Sequence, residues 1–162
     1  MRFGRVSIVA AQKGDDMQQA VSARAPAHLW IVGILSLFWN AFGCYDYLMT
    51  NMHNQAYLSA FPADQLAYLD SLPKWVTGFW ALGVWGGLAG ALLLLARSRH
   101  AILAFGVSLI GAVVGLGYQM FATDMPASMK QGIGGVMPWV IIVIAALQLW
   151  YARSAGKQGL LR

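Results

Sequence analysis

The chain has 162 residues, of which 59% are hydrophobic and only 10% charged, with a formal net charge of +5 and a mean hydropathy of +0.57. A soluble globular domain carries about a quarter charged residues, so this composition excludes that class and predicts an integral membrane protein. The positive charge does not indicate nucleic-acid binding, because Lys and Arg lie at the ends of apolar stretches, where membrane topology places them.

Residues 1–26 are polar and basic, and we expect them to form a disordered cytoplasmic tail. The apolar run at residues 6–11 is too short for the core of a signal peptide. Because nothing before it shows a structural pattern, Met17 is kept beside Met1 as a second candidate for the start of the protein. Pro26 predicts the entry to the first helix, since proline is favoured in the first turn of helices.

Four apolar stretches follow, each close to the ~20 residues that span about 30 Å of hydrocarbon. We predict membrane-spanning helices over residues 29–50, 75–96, 101–122 and 133–151. They form an all-α, four-helix transmembrane domain over residues 27–153, with a cytoplasmic tail over residues 154–162. Between the first two spans, Pro62 predicts a short helix over residues 63–69 on the membrane surface, with an ordered polar loop as the alternative.

The distribution of Lys and Arg predicts how the helices are oriented. Nine of these residues lie in the two terminal regions and the turn after the second span, whereas only Lys74 and Lys130 lie on the opposite side. Because Lys and Arg are enriched in cytoplasmic segments, we predict that both termini of this multi-pass protein are cytoplasmic.

Small and polar residues predict where the helices pack. Association of helices in lipid depends on close backbone approach and on polar groups between helices. The first and third spans carry stripes of small and polar residues at heptad-like spacing, and the second carries glycines four residues apart. We predict that the stripes face the bundle interior and that the following glycines mediate packing: Gly43, Gly83, Gly87, Gly90, Gly111 and Gly115.

Asp46 is the only acidic residue inside a predicted span, about 10 Å from the middle of that helix at ~1.5 Å per residue. A carboxylate within a membrane is costly, which makes it a functional-site hypothesis by default; a structural anchor is the alternative. Its candidate partners are Lys74, the hydroxyls of Tyr45 and Tyr47, and two residues of the third span. The predicted ligand-binding residues are Asn40, Asp46, Tyr47, Thr50, Tyr118 and Gln119.

The sequence lacks the residue sets that enzymes and metalloproteins use. It has no phosphate-binding glycine loop, no Ser/His/Asp set, no paired carboxylates and no HExxH motif. Its three histidines are far apart along the chain. Cys44 is its only cysteine, so a disulfide within the chain is excluded. We therefore expect no enzyme activity, no metal site and no cofactor.

Several short patterns identify a family resemblance. They are W-N-x-x-G-x-x-D-Y-x-M-T over residues 39–50, F-x-x-x-Q-L-A-Y over 61–68, P-x-W over 73–75 and W-A-L-G-V-W-G-G-L-A-G over 80–90. With these, the chain resembles, over about residues 28–152, a family of small four-helix bacterial membrane proteins, some of which carry the label "sugar transporter". The resemblance implies a four-helix fold in the bacterial inner membrane, but no mechanism and no binding residues.

Two functions stay open at this point. The first is a transporter or channel subunit for a small, sugar-like polar solute, with a polar cleft on the first helix. Because four helices enclose little space, its pathway would require a homo-oligomer or another membrane protein. The second is a non-catalytic subunit or assembly partner of another membrane protein. The distinguishing feature is whether the polar stripe of the first helix faces water or packed protein.

Overall fold

The computed structural model describes residues 26–162, and all regular structure in this part of the chain is helical. Its helices, in chain order, are α1 (Ala27–Asn51), α2 (Gln55–Leu58), α3 (Ala63–Ser71), α4 (Lys74–Leu95), α5 (His100–Ala122), α6 (Ala127–Lys130) and α7 (Gly132–Lys157). The predicted tail before Pro26 and the choice between Met1 and Met17 lie outside the described residues.

Four of these helices, α1, α4, α5 and α7, are long and apolar enough to cross a membrane. This confirms the predicted all-α class with four candidate spans. The orientation, with both termini in the cytoplasm, stays a prediction. The short helix expected after Pro62 is present as α3 and extends two residues beyond its predicted end.

Proline sets the start of several helices. Pro26, Pro62, Pro73 and Pro126 directly precede α1, α3, α4 and α6. Each has the fixed φ near −60° that suits a helix entry, and its missing N–H would have had no partner inside the helix. Pro138 is the exception, since it lies inside α7.

The four long helices pack in the order α1, α4, α5, α7. Helix α4 lies between α1 and α5, and α7 packs against α5. We call the end that carries residues 52–73 and 123–131 the loop end, and the end that carries residues 96–99 and 158–162 the turn end. At the turn end α1 also meets α7, where His28 Nδ1 and the Tyr151 hydroxyl form a hydrogen bond of 2.6 Å.

The main hydrophobic core lies at the turn end, where all four long helices converge. Its buried members are Leu29, Ala91, Leu94, Ala101, Phe105, Leu149, Ala152, Ala155 and Leu161. By contrast, every fully buried residue of α7 lies at or beyond Ala145, and the half of α7 toward the loop end has only partly buried and exposed residues.

The C-terminal region differs from the predicted tail over residues 154–162. Helix α7 continues to Lys157, and the residues after it turn back against the 96–99 turn. Arg99 N donates to Arg162 O (2.9 Å), and Arg162 N donates to Arg97 O (2.6 Å). Leu161 is only 2% exposed. This segment is ordered because Leu161 is buried in the core while the neighbouring backbone groups find hydrogen-bond partners.

The predicted packing glycines all lie at contacts between long helices. A Cβ built on any of the six would come within 4 Å of a neighbouring long helix. The closest approach of two backbones is at Gly111 of α5, where a Cβ would lie 2.5 Å from Gly83 N and 2.7 Å from Phe79 O of α4. Because those atoms belong to the backbone of α4, they cannot move aside cheaply.

We predict that Gly111→Ala destabilises the fold by about 1–3 kcal/mol, the usual cost of overpacking a close contact. Gly106→Ala is the matched control on the same helix, since nothing lies within 4 Å of a Cβ at that position. It should be neutral or slightly stabilising, because alanine favours a helix. The measurement is loss of helical circular dichroism as the purified protein is moved from a mild to a denaturing detergent. Equal effects of the two substitutions would contradict the packing described.

Candidate functional site

The polar stripe of α1 is packed against protein in the middle of the helix. Asn40 is 7% exposed, and its Nδ2 donates to Ser36 O at 2.7 Å. Its Oδ1 lies against Gly87 of α4, where a Cβ would overlap it. From α5, Ser108 Oγ donates to Gly83 O of α4 at 2.6 Å. These polar groups therefore serve the contacts among α1, α4 and α5 rather than an open cleft.

Asp46 accepts a hydrogen bond at the loop end. The Tyr57 hydroxyl donates to Asp46 Oδ1 at 2.5 Å, so the partner is a residue of α2 rather than any of those anticipated from the sequence. The Tyr57 ring also packs edge-on against Tyr45, with 5.6 Å between ring centroids. Asn54 caps the start of α2 by accepting from Tyr57 N at 3.0 Å. The contacts of Tyr57 with Asp46 and Tyr45 thus hold the segment after α1 against the last turns of α1.

Burial raises the pKa of the Tyr57 hydroxyl above its ordinary value, and the hydrogen bond to Asp46 and the negative charge of Asp46 raise it further. The raised pKa means that Tyr57 keeps its proton to higher pH than an exposed tyrosine. Because only the protonated hydroxyl can donate to the carboxylate, the pair stays intact throughout the physiological pH range.

The other predicted ligand-binding residues occupy separate places. Tyr47 packs edge-on against Trp80 of α4, at a centroid distance of 5.2 Å. Tyr118 packs against Trp75 at 4.6 Å, and Gln119 Nε2 donates to Gly115 O of its own helix at 3.3 Å. The six residues are therefore not gathered around one cleft. A ligand-binding role for each stays a prediction.

A cavity of about 290 Å³ opens at the loop end, between the last turn of α1 and the segment that follows it. This volume is near the lower end of the range of about 300–1,000 Å³ typical of small-molecule pockets. Its polar lining residues are Thr50, His53, Gln55, Ser59 and Asp70. Its apolar lining residues are Leu58, Phe61, Ala63, Leu66 and Leu69. Of the six predicted binding residues, Thr50 belongs to this lining.

A left-handed backbone turn and a hydrogen bond between two side chains shape this cavity. His53 has a φ of +49°, a left-handed conformation that is uncommon for residues other than glycine and that clusters at functional sites. It turns the chain directly after α1, and its N–H donates to Thr50 O at 3.1 Å. On the opposite wall, α3 is held in place because the Tyr68 hydroxyl and Thr123 Oγ1 form a hydrogen bond of 2.7 Å.

Asp70 gives the cavity its charge. Among residues 26–162, it is the only acidic lining residue, and the lining there includes no Lys or Arg. The other carboxylate of α3, Asp64, accepts a hydrogen bond from Ser128 Oγ at 2.7 Å and does not line the cavity. Phe61 adds an aromatic ring to the apolar wall. A lining that combines one carboxylate, an aromatic ring and aliphatic side chains is suited to an organic cation rather than to an anion.

Within residues 26–162, no three His, Cys, Asp or Glu side chains are grouped so that they could hold a metal ion. Comparison of the chain with family models, with curated proteins and with solved structures gave no match. The resemblance to small four-helix bacterial membrane proteins therefore stays a prediction.

Sequence reasoning missed Tyr57, His53 and Asp70 as candidate site residues. The only local signal was Asn54. Its side chain caps the N-terminus of α2 by accepting from Tyr57 N, which fixes the position of Tyr57. Neither the left-handed turn at His53 nor the approach of α3 to the end of α1 has a pattern that the sequence alone displays.

We predict that Tyr57 ionises well above the usual tyrosine pKa of about 10. The measurement is phenolate absorbance during alkaline titration, taken as the difference between the unmodified protein and Tyr57→Phe. In an Asp46→Asn background the same absorbance difference should appear at lower pH, because the negative charge is gone and a neutral amide oxygen is a weaker acceptor. The effect on stability follows from the raised pKa. The contribution of the protonated Tyr57 hydroxyl is complete at neutral pH and is lost as pH rises from about 10 through the raised pKa. A difference signal centred at pH 10 in the unmodified protein would contradict the contact.

Proposed function

We propose that this protein is a solute-binding membrane protein, and that its binding site is the loop-end cavity rather than a cleft on α1. The observation that carries the proposal is the lining of that cavity. Among the described residues that line it, Asp70 is the only Asp, Glu, Lys or Arg, and the others include Phe61 and aliphatic side chains. A carboxylate attracts an ammonium group, and an aromatic ring contacts it through a cation–π interaction.

The size of the cavity supports a small organic ammonium compound. A volume of about 290 Å³ accommodates a molecule of several non-hydrogen atoms, with Leu58 and Leu66 available to contact its carbon skeleton. Thr50, Gln55 and Ser59 supply donors and acceptors for a hydroxyl or amide group. This lining supports a cation better than it supports a neutral sugar.

Passage of the solute through a single chain has no support in the packing, because Asn40 and Ser108 are buried between helices. In this proposal, transport requires a second copy or another membrane protein, and the chain contributes the recognition step. The half of α7 toward the loop end, which has no fully buried residue, offers exposed apolar surface for that assembly. Residence in the bacterial inner membrane, with the cavity on the outer side, is part of the same proposal.

The test uses choline and its uncharged carbon isostere, 3,3-dimethyl-1-butanol, with the full chain in nanodiscs. We predict that choline binds, measured by calorimetry, and that the isostere binds at least about tenfold more weakly, a difference of about 1.4 kcal/mol. Asp70→Asn should weaken choline binding by at least about the same factor. The matched control is Asp64→Asn on the same helix, which should bind choline normally.

Two results would contradict this proposal. One is the absence of choline binding to the unmodified protein. The other is equal binding of choline by Asp70→Asn and by Asp64→Asn, because Asp70 would then not be the group that recognises the positive charge.

A further inference from the structure

The turn end concentrates positive charge. Within residues 26–162 its basic side chains are Arg97, Arg99, Arg153, Lys157 and Arg162. All four Asp residues of this part of the chain lie toward the loop end, in the second half of α1, in α3 and directly after α5. The described part of the turn end therefore carries five cations and no carboxylate side chain.

The fold, and not only the sequence, brings these cations together. The backbone hydrogen bonds between Arg162 and the 96–99 turn place Arg97, Arg99 and Arg162 side by side. The Nε atoms of Arg97 and Arg99 donate to the carbonyls of residues 160 and 161, at 3.0 and 3.5 Å. Membrane orientation requires basic residues at this end, but it does not require this attachment of residues 158–162 to the turn.

The continuation of α7 adds two more cations to the same end. Arg153 and Lys157 are four residues apart and both exposed, so they lie one above the other on one face of the helix. Just before them, Trp150 is 65% exposed, as expected for an aromatic residue at the boundary between hydrocarbon and headgroups. The cations thus lie where an apolar, lipid-facing surface ends.

We propose that the turn end binds the phosphodiester headgroup of an anionic phospholipid. Arg99, Arg153, Lys157 and Arg162 are exposed and act as its donors, while Arg97 helps to hold residues 158–162 in place. Arginine presents a planar fork of N–H groups that binds phosphate in a bidentate manner. The acyl chains of the lipid lie along the exposed apolar residues of α7, including Leu147 and Trp150. The role is distinct from solute binding at the other end of the molecule.

The experiment measures thermal unfolding of the detergent-solubilised full chain during titration with phosphatidylglycerol or phosphatidylcholine of identical acyl chains. We expect phosphatidylglycerol to raise the unfolding temperature at a concentration at least about tenfold lower than phosphatidylcholine. Inorganic phosphate and glycerol 3-phosphate, tested at the same concentrations, should give no shift. If either soluble anion raised the unfolding temperature as much as phosphatidylglycerol does, the site would bind free phosphate groups, and the proposal of a lipid ligand would be wrong.

Variants locate the site. The quadruple substitution R99Q/R153Q/K157Q/R162Q should abolish the preference for phosphatidylglycerol, whereas K74Q/K130Q, which removes the two basic residues of the loop end, should keep it. Because loss of positive charge can alter membrane insertion, R99K/R153K/R162K provides a second variant that keeps every charge. It should weaken the preference several-fold through loss of bidentate contacts. An unchanged preference in the quadruple variant, or equal loss in K74Q/K130Q, would overturn the proposal.

Discussion

Close approach of the α4 backbone to the helices on either side of it is the constraint on which the rest of the structure depends. In lipid, apolar side chains gain little by leaving the hydrocarbon, so helices associate through tight van der Waals contact and polar groups between them. Gly83 and Gly87 allow α5 and α1 to approach, and Asn40 and Ser108 occupy the space so created. At Gly111 of α5, even the Cβ of an alanine would lie 2.5 Å from Gly83 N and would push α4 and α5 apart.

This packing also determines where chemistry is possible. Asn40, Ser108 and Gln119 donate hydrogen bonds to backbone carbonyls of their own or a neighbouring helix. These side chains therefore form no continuous polar surface through α1, α4 and α5. The candidate binding groups lie instead at the two ends. The loop end has a cavity lined by one carboxylate, and the turn end has several exposed basic side chains. The Tyr57–Asp46 hydrogen bond connects the first of these ends to the bundle, because it fixes the segment that leads from α1 into the cavity wall.

Sequence patterns predicted the spans well, because a length of apolar residues is dictated by bilayer thickness and needs no tertiary information. The helix starts after Pro26 and Pro62 were also predictable, since proline acts locally. The partner of Asp46 and the cavity were not, because both depend on how α2 and α3 fold back over the end of α1. Residues 154–162 were predicted as a cytoplasmic tail. Their order was not predictable, because no local pattern shows that Leu161 is buried in the core.

The most direct test of a sealed interior with an open loop-end cavity is thiol accessibility in nanodiscs, where both ends of the protein meet water. In a Cys44→Ser background, Ser59→Cys places a thiol in the cavity and Ser108→Cys places one between α4 and α5. We expect a polar thiol reagent to modify the first rapidly and the second only after unfolding. Modification of position 108 in the folded protein, at a rate similar to that of position 59, would show water between the helices and contradict the account.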